Sequence, residues 1–213
     1  MMLAVVALGG CASHGKKLMP APAIAHSPAA QMVSDQVPVE RRGSAINLLY
    51  ITNRAPDTMA KSNTAYGDGR SKSLAFGSAM VELVPQLDWE ALRRESLNDP
   101  RSVDIKLELG QVRELGRYPN EPYTIVRASS GRLQRDRTVL QRHEGTEQQL
   151  QEEIQRRLAI APTGEVLLFV HGFNETFATA AYTAADLCHF LGRSHVCAMF
   201  SWPASARGNP LFS

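Results

Sequence analysis

The sequence predicts an α/β fold: a central parallel sheet with flanking helices, preceded by a β-rich lead-in. Three observations carry this. Val103, Ile105, Leu107 and Leu109 alternate with Asp104, Lys106 and Glu108, a period of two that sets one face of a strand on a core. After residue 145 the pattern becomes helix, strand, helix, strand, which implies parallel strands joined by a right-handed crossover. Val166-Leu167-Leu168-Phe169-Val170 is a continuous apolar run, the signature of a strand covered on both faces. With 213 residues and 44% apolar content, the chain has room for one folded domain and a tail.

The first residues read as an address. Leu3 to Gly10 is apolar and small, and Cys11 follows it. As a helix this run reaches only about 12 Å, against about 30 Å for a bilayer core, so it fits the h-region of a secretory signal. Leu8-Gly9-Gly10-Cys11 also resembles the lipobox of bacterial lipoproteins, where the cysteine sulfur receives a diacylglycerol. The expectation is an exported, lipid-anchored protein of the cell envelope, with residues 1–11 as its signal segment. No Lys or Arg precedes the apolar run, and a start upstream of Met1 would supply the usual positive charge. The alternative for Cys11 is an ordinary buried cysteine. Residues 12–44 are rich in Ala, Pro and Ser and read as a flexible tether.

Residues 45–142 form the β-rich part. Strands are expected at 46–52, at 74–84 (stopped by Pro85), at 103–109 and at 123–126, with a polar, glycine-containing loop at 53–72 and a short helix at 89–95. Five arginines between Arg127 and Arg142, against Asp136 alone, read as a solvated strand edge or loop. The net charge of +2 is too small to argue for a nucleic-acid partner.

Residues 143–213 form the start of the α/β core. Thr146 opens a helix with Gln149 three residues on, in a capping-box pattern. Leu150, Ile154 and Leu158 share one face, while Glu152–Arg156 and Glu153–Arg157 are outer i,i+4 pairs worth about 0.2–0.5 kcal/mol each. Pro162-Thr163-Gly164 turns the chain into the strand 165–170. A second helix, 176–191, carries Phe177, Ala181, Ala184, Cys188 and Leu191 on one side, and Gly192 ends it. A last buried strand runs 196–202 to Pro203. With Cys11 lipidated, Cys188 and Cys197 remain. Two buried free thiols are the expectation and a disulfide the alternative. Their spacing matches no common zinc site, phosphate-binding glycine loops are absent, and no cofactor is implied.

The strand 166–170 runs straight into His171-Gly172-Phe173-Asn174. In acyl transfer, negative charge develops on the carbonyl oxygen, and backbone N–H groups aimed at it lower the barrier by about 2.7–4 kcal/mol per donor. The loop after a central parallel strand suits that task. The N–H groups of Phe173 and Asn174 are the candidate donors, Gly172 lets the loop bend, and the Phe173 ring is a candidate pocket wall. His171 reads as a brace for the loop rather than a general base. Asn174 and Thr176 compete as N-cap of the following helix.

Four blocks read together widen the picture: Tyr50-Ile51-Thr52-Asn53-Arg54, Phe76-Gly77-Ser78-Ala79-Met80-Val81, Leu168 to Asn174, and Phe200-Ser201-Trp202-Pro203. Their order and spacing resemble the bacterial alpha/beta-hydrolase family of uncharacterised, esterase/lipase-like proteins, over residues 46–213. The resemblance implies an alpha/beta-hydrolase fold, incomplete here. In that family the chain continues to a Gly-His-Ser-Met-Gly-like elbow, an acid and a histidine, and this sequence contains no Gly-x-Ser-x-Gly. Gly192-Arg193-Ser194 joins helix to strand, the wrong context for an elbow; Ser201 and Ser213 have no better claim. The nucleophile strand normally lies beside the strand bearing the oxyanion loop, so Val166–Val170 is expected to become a bare apolar edge, with poor solubility. The resemblance thus implies a serine hydrolase acting on a small-molecule or lipid ester, here without its nucleophile. A non-catalytic envelope lipoprotein with a binding role, and a truncated inactive reading frame, are the rival readings.

Overall fold

The computed structural model describes residues 15–57, 66–122 and 124–204. Cys11, Tyr123 and Ser213 lie outside the described residues. The strands are β1 (Lys16–Lys17), β2 (Ala45–Pro56), β3 (Tyr66–Val84), β4 (Lys106–Arg117), β5 (Ile125–Arg127), β6 (Leu133–Arg135), β7 (Val166–Val170) and β8 (Val196–Ser201). The helices are α1 (Pro28–Asp35), α2 (Trp89–Leu97), α3 (Arg137–Leu158) and α4 (Phe177–Phe190). Six strands form one sheet in the order β1-β4-β3-β2-β8-β7, and β5 and β6 form a separate exposed hairpin.

The sheet is mixed rather than parallel throughout, which corrects the sequence expectation. Only β2, β8 and β7 run parallel to one another; β3 is antiparallel to both β2 and β4. The β-rich lead-in joins the same sheet as the crossover β7-α4-β8, so the two parts share one core. Ile46, Leu48 and Tyr50 of β2 pack in that core with Ala180, Ala181, Ala184 and Ala185 of α4. The small side chains let the helix lie close to the strands. Asn47, alternating with them, accepts hydrogen bonds from Arg157 of α3 at its carbonyl (3.2 Å) and its side-chain oxygen (3.1 Å). The two helices therefore cover opposite faces.

Close approach of α4 to β8 brings Cys188 and Cys197 to a Cα separation of 5.9 Å, and they form a disulfide. The expectation of two free thiols is corrected on that ground.

Residues 15–44 are not a loose tether from Gly15 onward. β1 pairs with β4, and Leu18, Ala25 and Val37 are buried. Lys16 Nζ donates to Asp186 of α4 at 3.0 Å, and two carbonyls of this segment, Leu18 and Met19, accept from Arg101. Ser27 caps α1 by accepting from the Ala30 N–H, with Pro28 at the first turn. Pro28, one of the prolines that suggested extended chain, here begins a helix.

Other boundaries moved as well. The expected loop at 53–72 is largely strand, because β2 and β3 extend as a twisted ribbon in which Arg54 opposes Arg70 and Pro56 opposes Tyr66. The strand expected at 103–109 begins at Lys106 and continues to Arg117. α3 starts at Arg137, nine residues before Thr146, because the Asp136 carboxylate accepts from the Thr138 and Val139 N–H groups. β7 is not covered on both faces: Val166, Leu168 and Val170 are 43%, 53% and 55% exposed. It ends the sheet among the described strands. No helix among the described residues is long and apolar enough to cross a membrane.

Candidate active-site loop

The carboxyl ends of β2, β8 and β7 lie at one end of the sheet because these strands are parallel. Three of the four sequence blocks end there. His171, the first residue after β7, is buried. Its Nδ1–H donates to the Gly172 carbonyl at 2.8 Å, since a carbonyl only accepts. Nε2 is thereby the acceptor, and it receives the Trp202 N–H at 3.0 Å and the Ser201 hydroxyl at 3.2 Å. The Trp202 indole N–H donates back to the His171 carbonyl at 3.1 Å, and the two rings stack with centroids 5.5 Å apart.

Behind this pair lies Arg54, fully buried. Its Nε donates to Ser201 Oγ at 2.9 Å, its Nη1 to the Gly67 carbonyl at 3.1 Å and to Asp68 at 3.4 Å, and its Nη2 to the Glu175 carbonyl. Burial lowers the pKa of Arg54, and the nearby Asp68 carboxylate opposes that. Thr52 completes the knot: its hydroxyl donates to the Ser201 carbonyl at 2.6 Å and accepts the Arg54 N–H at 3.0 Å. One guanidinium thus joins β2, the start of β3, β8 and the loop after β7. Sequence reading quoted Arg54 as part of a block and gave it no role. The available signal was an arginine near the end of a strand that is apolar from Leu48 to Ile51.

The loop itself departs from expectation at two residues. Asn174 has φ 61°, the left-handed region that asparagine tolerates better than most side chains. Its backbone N–H donates to the Ala204 carbonyl at 2.8 Å. That donor is spent within the protein, so Asn174 is removed from the pair of candidate oxyanion N–H groups. Asn174 is not the N-cap either: Thr176 caps α4, in a reciprocal box with Thr179. Gly172 is not needed to relieve crowding, since a Cβ there would meet no described atom within 4 Å. Phe173 is 59% exposed at the mouth of the loop.

Ser201 beside His171 imitates a nucleophile and its base. Ser201 is fully buried, however, and Nε2 already accepts from a backbone N–H. A substrate carbonyl has no path to that hydroxyl. Ser194 is also buried, bonded to the Leu191 carbonyl and to His195.

Beneath the loop, Tyr50, Tyr66 and Phe177 form an aromatic cluster with centroids 5.0–5.4 Å apart. The Tyr50 and Tyr66 hydroxyls are 2.9 Å apart, and Tyr66 donates to Glu114 at 2.6 Å. Burial pushes Tyr50 up to about 12, so this chain stays protonated at neutral pH.

The family described as alpha/beta hydrolase of unknown function (DUF900) matches residues 146–211. The matched segment contains most of α3, then β7, the His171 loop, α4 and β8. No curated protein and no solved structure gives a significant match. The family match over residues 146–211 and the mixed sheet with its helices support an α/β fold.

Proposed function

We propose that the chain carries the oxyanion side of a serine-type hydrolase site acting on carboxylic esters at the cell envelope. What supports this most is the position and rigidity of the loop 171–174. It leaves the carboxyl end of a parallel strand, where ligands of such sheets bind. Its backbone is held by part-buried hydrogen bonds from the His171 and Trp202 side chains, and Arg54 holds the Glu175 carbonyl just after it. A donor fixed in this way needs no reorganisation as charge develops on a substrate oxygen.

The Asn174 N–H is held by the Ala204 carbonyl; we keep the backbone of Phe173, at the same strand end, as the donor and its ring, 59% exposed, as one wall for an acyl chain. The substrate class is a small-molecule or lipid ester. Ser201 is a brace and not the nucleophile. The 213 residues contain no Gly-x-Ser-x-Gly, and alone they are expected to be inactive. The disulfide supports an oxidising compartment. Together with the lipobox-like Leu8–Cys11 it favours export and a lipid anchor on Cys11.

Fluorophosphonate labelling of the protein expressed from its uninterrupted natural reading frame, beside the 213-residue chain, tests this. The former should label and the latter should not. In the labelled protein, Phe173→Pro removes the N–H and should slow ester hydrolysis by about 10²–10³-fold, while Phe173→Ala keeps it. If neither protein labels, the hydrolase assignment fails and a binding role takes its place.

A further inference from the structure

The opposite end of the sheet holds a cavity of about 340 Å³. It lies where β2 and β8 begin and α3 ends, away from the His171 loop and independent of its chemistry. Arg41, Arg42, Arg156, Arg157 and Arg193 line it, and among the described residues Glu40 is the one carboxylate on its wall. Arg157 and Arg193 are almost wholly buried.

These charges are poorly compensated. Arg156 and Arg157 share a single carboxylate, that of Glu153, at 2.8 and 2.7 Å. Among the described residues Arg193 donates only to neutral groups, the carbonyls of Arg41, Gly43 and Ala45 at 3.1, 2.7 and 3.4 Å and His189 Nδ1, and its guanidinium lies over the Trp89 ring, 5.1 Å from the centroid. Arg41 donates through Nη2 to the His195 carbonyl, but its Nη1 is buried with no hydrogen-bond partner among the described residues. An unpaired buried donor is costly, and a charged one more so. Five guanidinium groups therefore meet two carboxylates around a space large enough for a ligand. Burial, then the neighbouring charge of Arg157, pushes the pKa of Arg41 down; burial, then Arg41, pushes Arg193 down to about 9.

We propose that this cavity is a binding site for a phosphate-class oxyanion, gripped by Arg41 with Arg156 and Arg157. The planar guanidinium fork matches tetrahedral oxyanions with paired hydrogen bonds, which a lysine cluster would not do. The cavity exceeds the volume of an orthophosphate ion. Met80, Ile160 and Val196 supply an apolar wall against which the organic part of a phosphate monoester packs.

Isothermal titration of the full chain at low ionic strength, with inorganic phosphate in one arm and phenyl phosphate in the other, tests the proposal. Sodium chloride of matched ionic strength is the reference. Saturable binding of at least one probe is expected, weakened tenfold or more by Arg41→Met and weakened by Arg156→Met, with Arg127→Ala unchanged. Tighter binding of phenyl phosphate identifies a monoester site; equal or weaker binding identifies a free-anion site. Should Arg41→Met fail to fold, Arg156→Met still decides, because that side chain is 61% exposed and bonded only to Glu153. Heats no larger than chloride gives, or phosphate affinity unaltered in the folded arginine variants, would overturn the site.

Discussion

His171 and His189 are both buried next to a serine hydroxyl, and neither is placed to act as a base. For His171 the reason is geometric: both ring nitrogens are engaged, one by the Gly172 carbonyl and the other by Ser201 and the Trp202 N–H. For His189 it is electrostatic as well. Arg193 can only donate to its Nδ1, so Nε2 carries the proton and donates to Ser96 at 2.7 Å. Burial, then the charge of Arg193, holds its pKa well below 6.5. The folded state binds fewer protons at this site than the unfolded state. The stability it supports is therefore complete above about pH 6.5 and is lost as pH falls towards the folded value. Asp186, whose pKa burial raises, works in the opposite direction, so the comparison must be between proteins. The urea midpoint of the wild type should fall between pH 7.5 and 5.5 by more than that of His189→Gln. Equal falls would remove His189 as the cause.

At the scale of elements, strand content was legible and strand ends were not. The alternation at 103–109 located β4, but two thirds of that strand lies beyond Leu109, where Arg113 and Glu114 obscure the period by lying on a half-exposed ribbon. The Phe76-Gly77-Ser78 block was legible only as a pattern; its cause is the Tyr50 ring. A Cβ on Gly77 would stand 2.1 Å from the Arg113 carbonyl oxygen and 2.6 Å from the Tyr50 hydroxyl. Gly77→Ala should cost about 3 kcal/mol, the upper end of ordinary overpacking, because backbone rather than a flexible tip must yield. A chemical denaturation curve within 0.5 kcal/mol of wild type would show that β3 and β4 can separate more easily than their pairing suggests. The capping pattern at Thr146 misplaced the start of α3, since the Thr146 hydroxyl donates to the Arg142 carbonyl one turn back, within the helix. Of the candidate site, the loop was readable because its glycine and asparagine follow an apolar strand. Arg54 was not, because its partners come from β3, β8 and the loop after β7.

For the molecule as a whole, the outermost strand decides its behaviour in solution. Val166, Leu168 and Val170 present an apolar row beside the exposed ring of Phe173. Surfaces of this kind associate. The 213-residue chain should show a mass that rises with concentration in light scattering, and Leu168→Lys should suppress that rise without lowering the melting temperature. A monodisperse wild type across the concentration range would refute this. The other boundary of the molecule sets its reach. Lys16 is pinned to Asp186 and paired with Leu107, so the chain is held from that point onward. Under the proposed lipidation of Cys11, five residue-to-residue steps of at most about 3.6 Å each lead from Cys11 to Lys16, roughly 18 Å. A protein on so short a leash cannot sweep the space above the bilayer. It would lie with its β1–β4 edge towards the lipid headgroups and meet only those esters that come to the membrane surface.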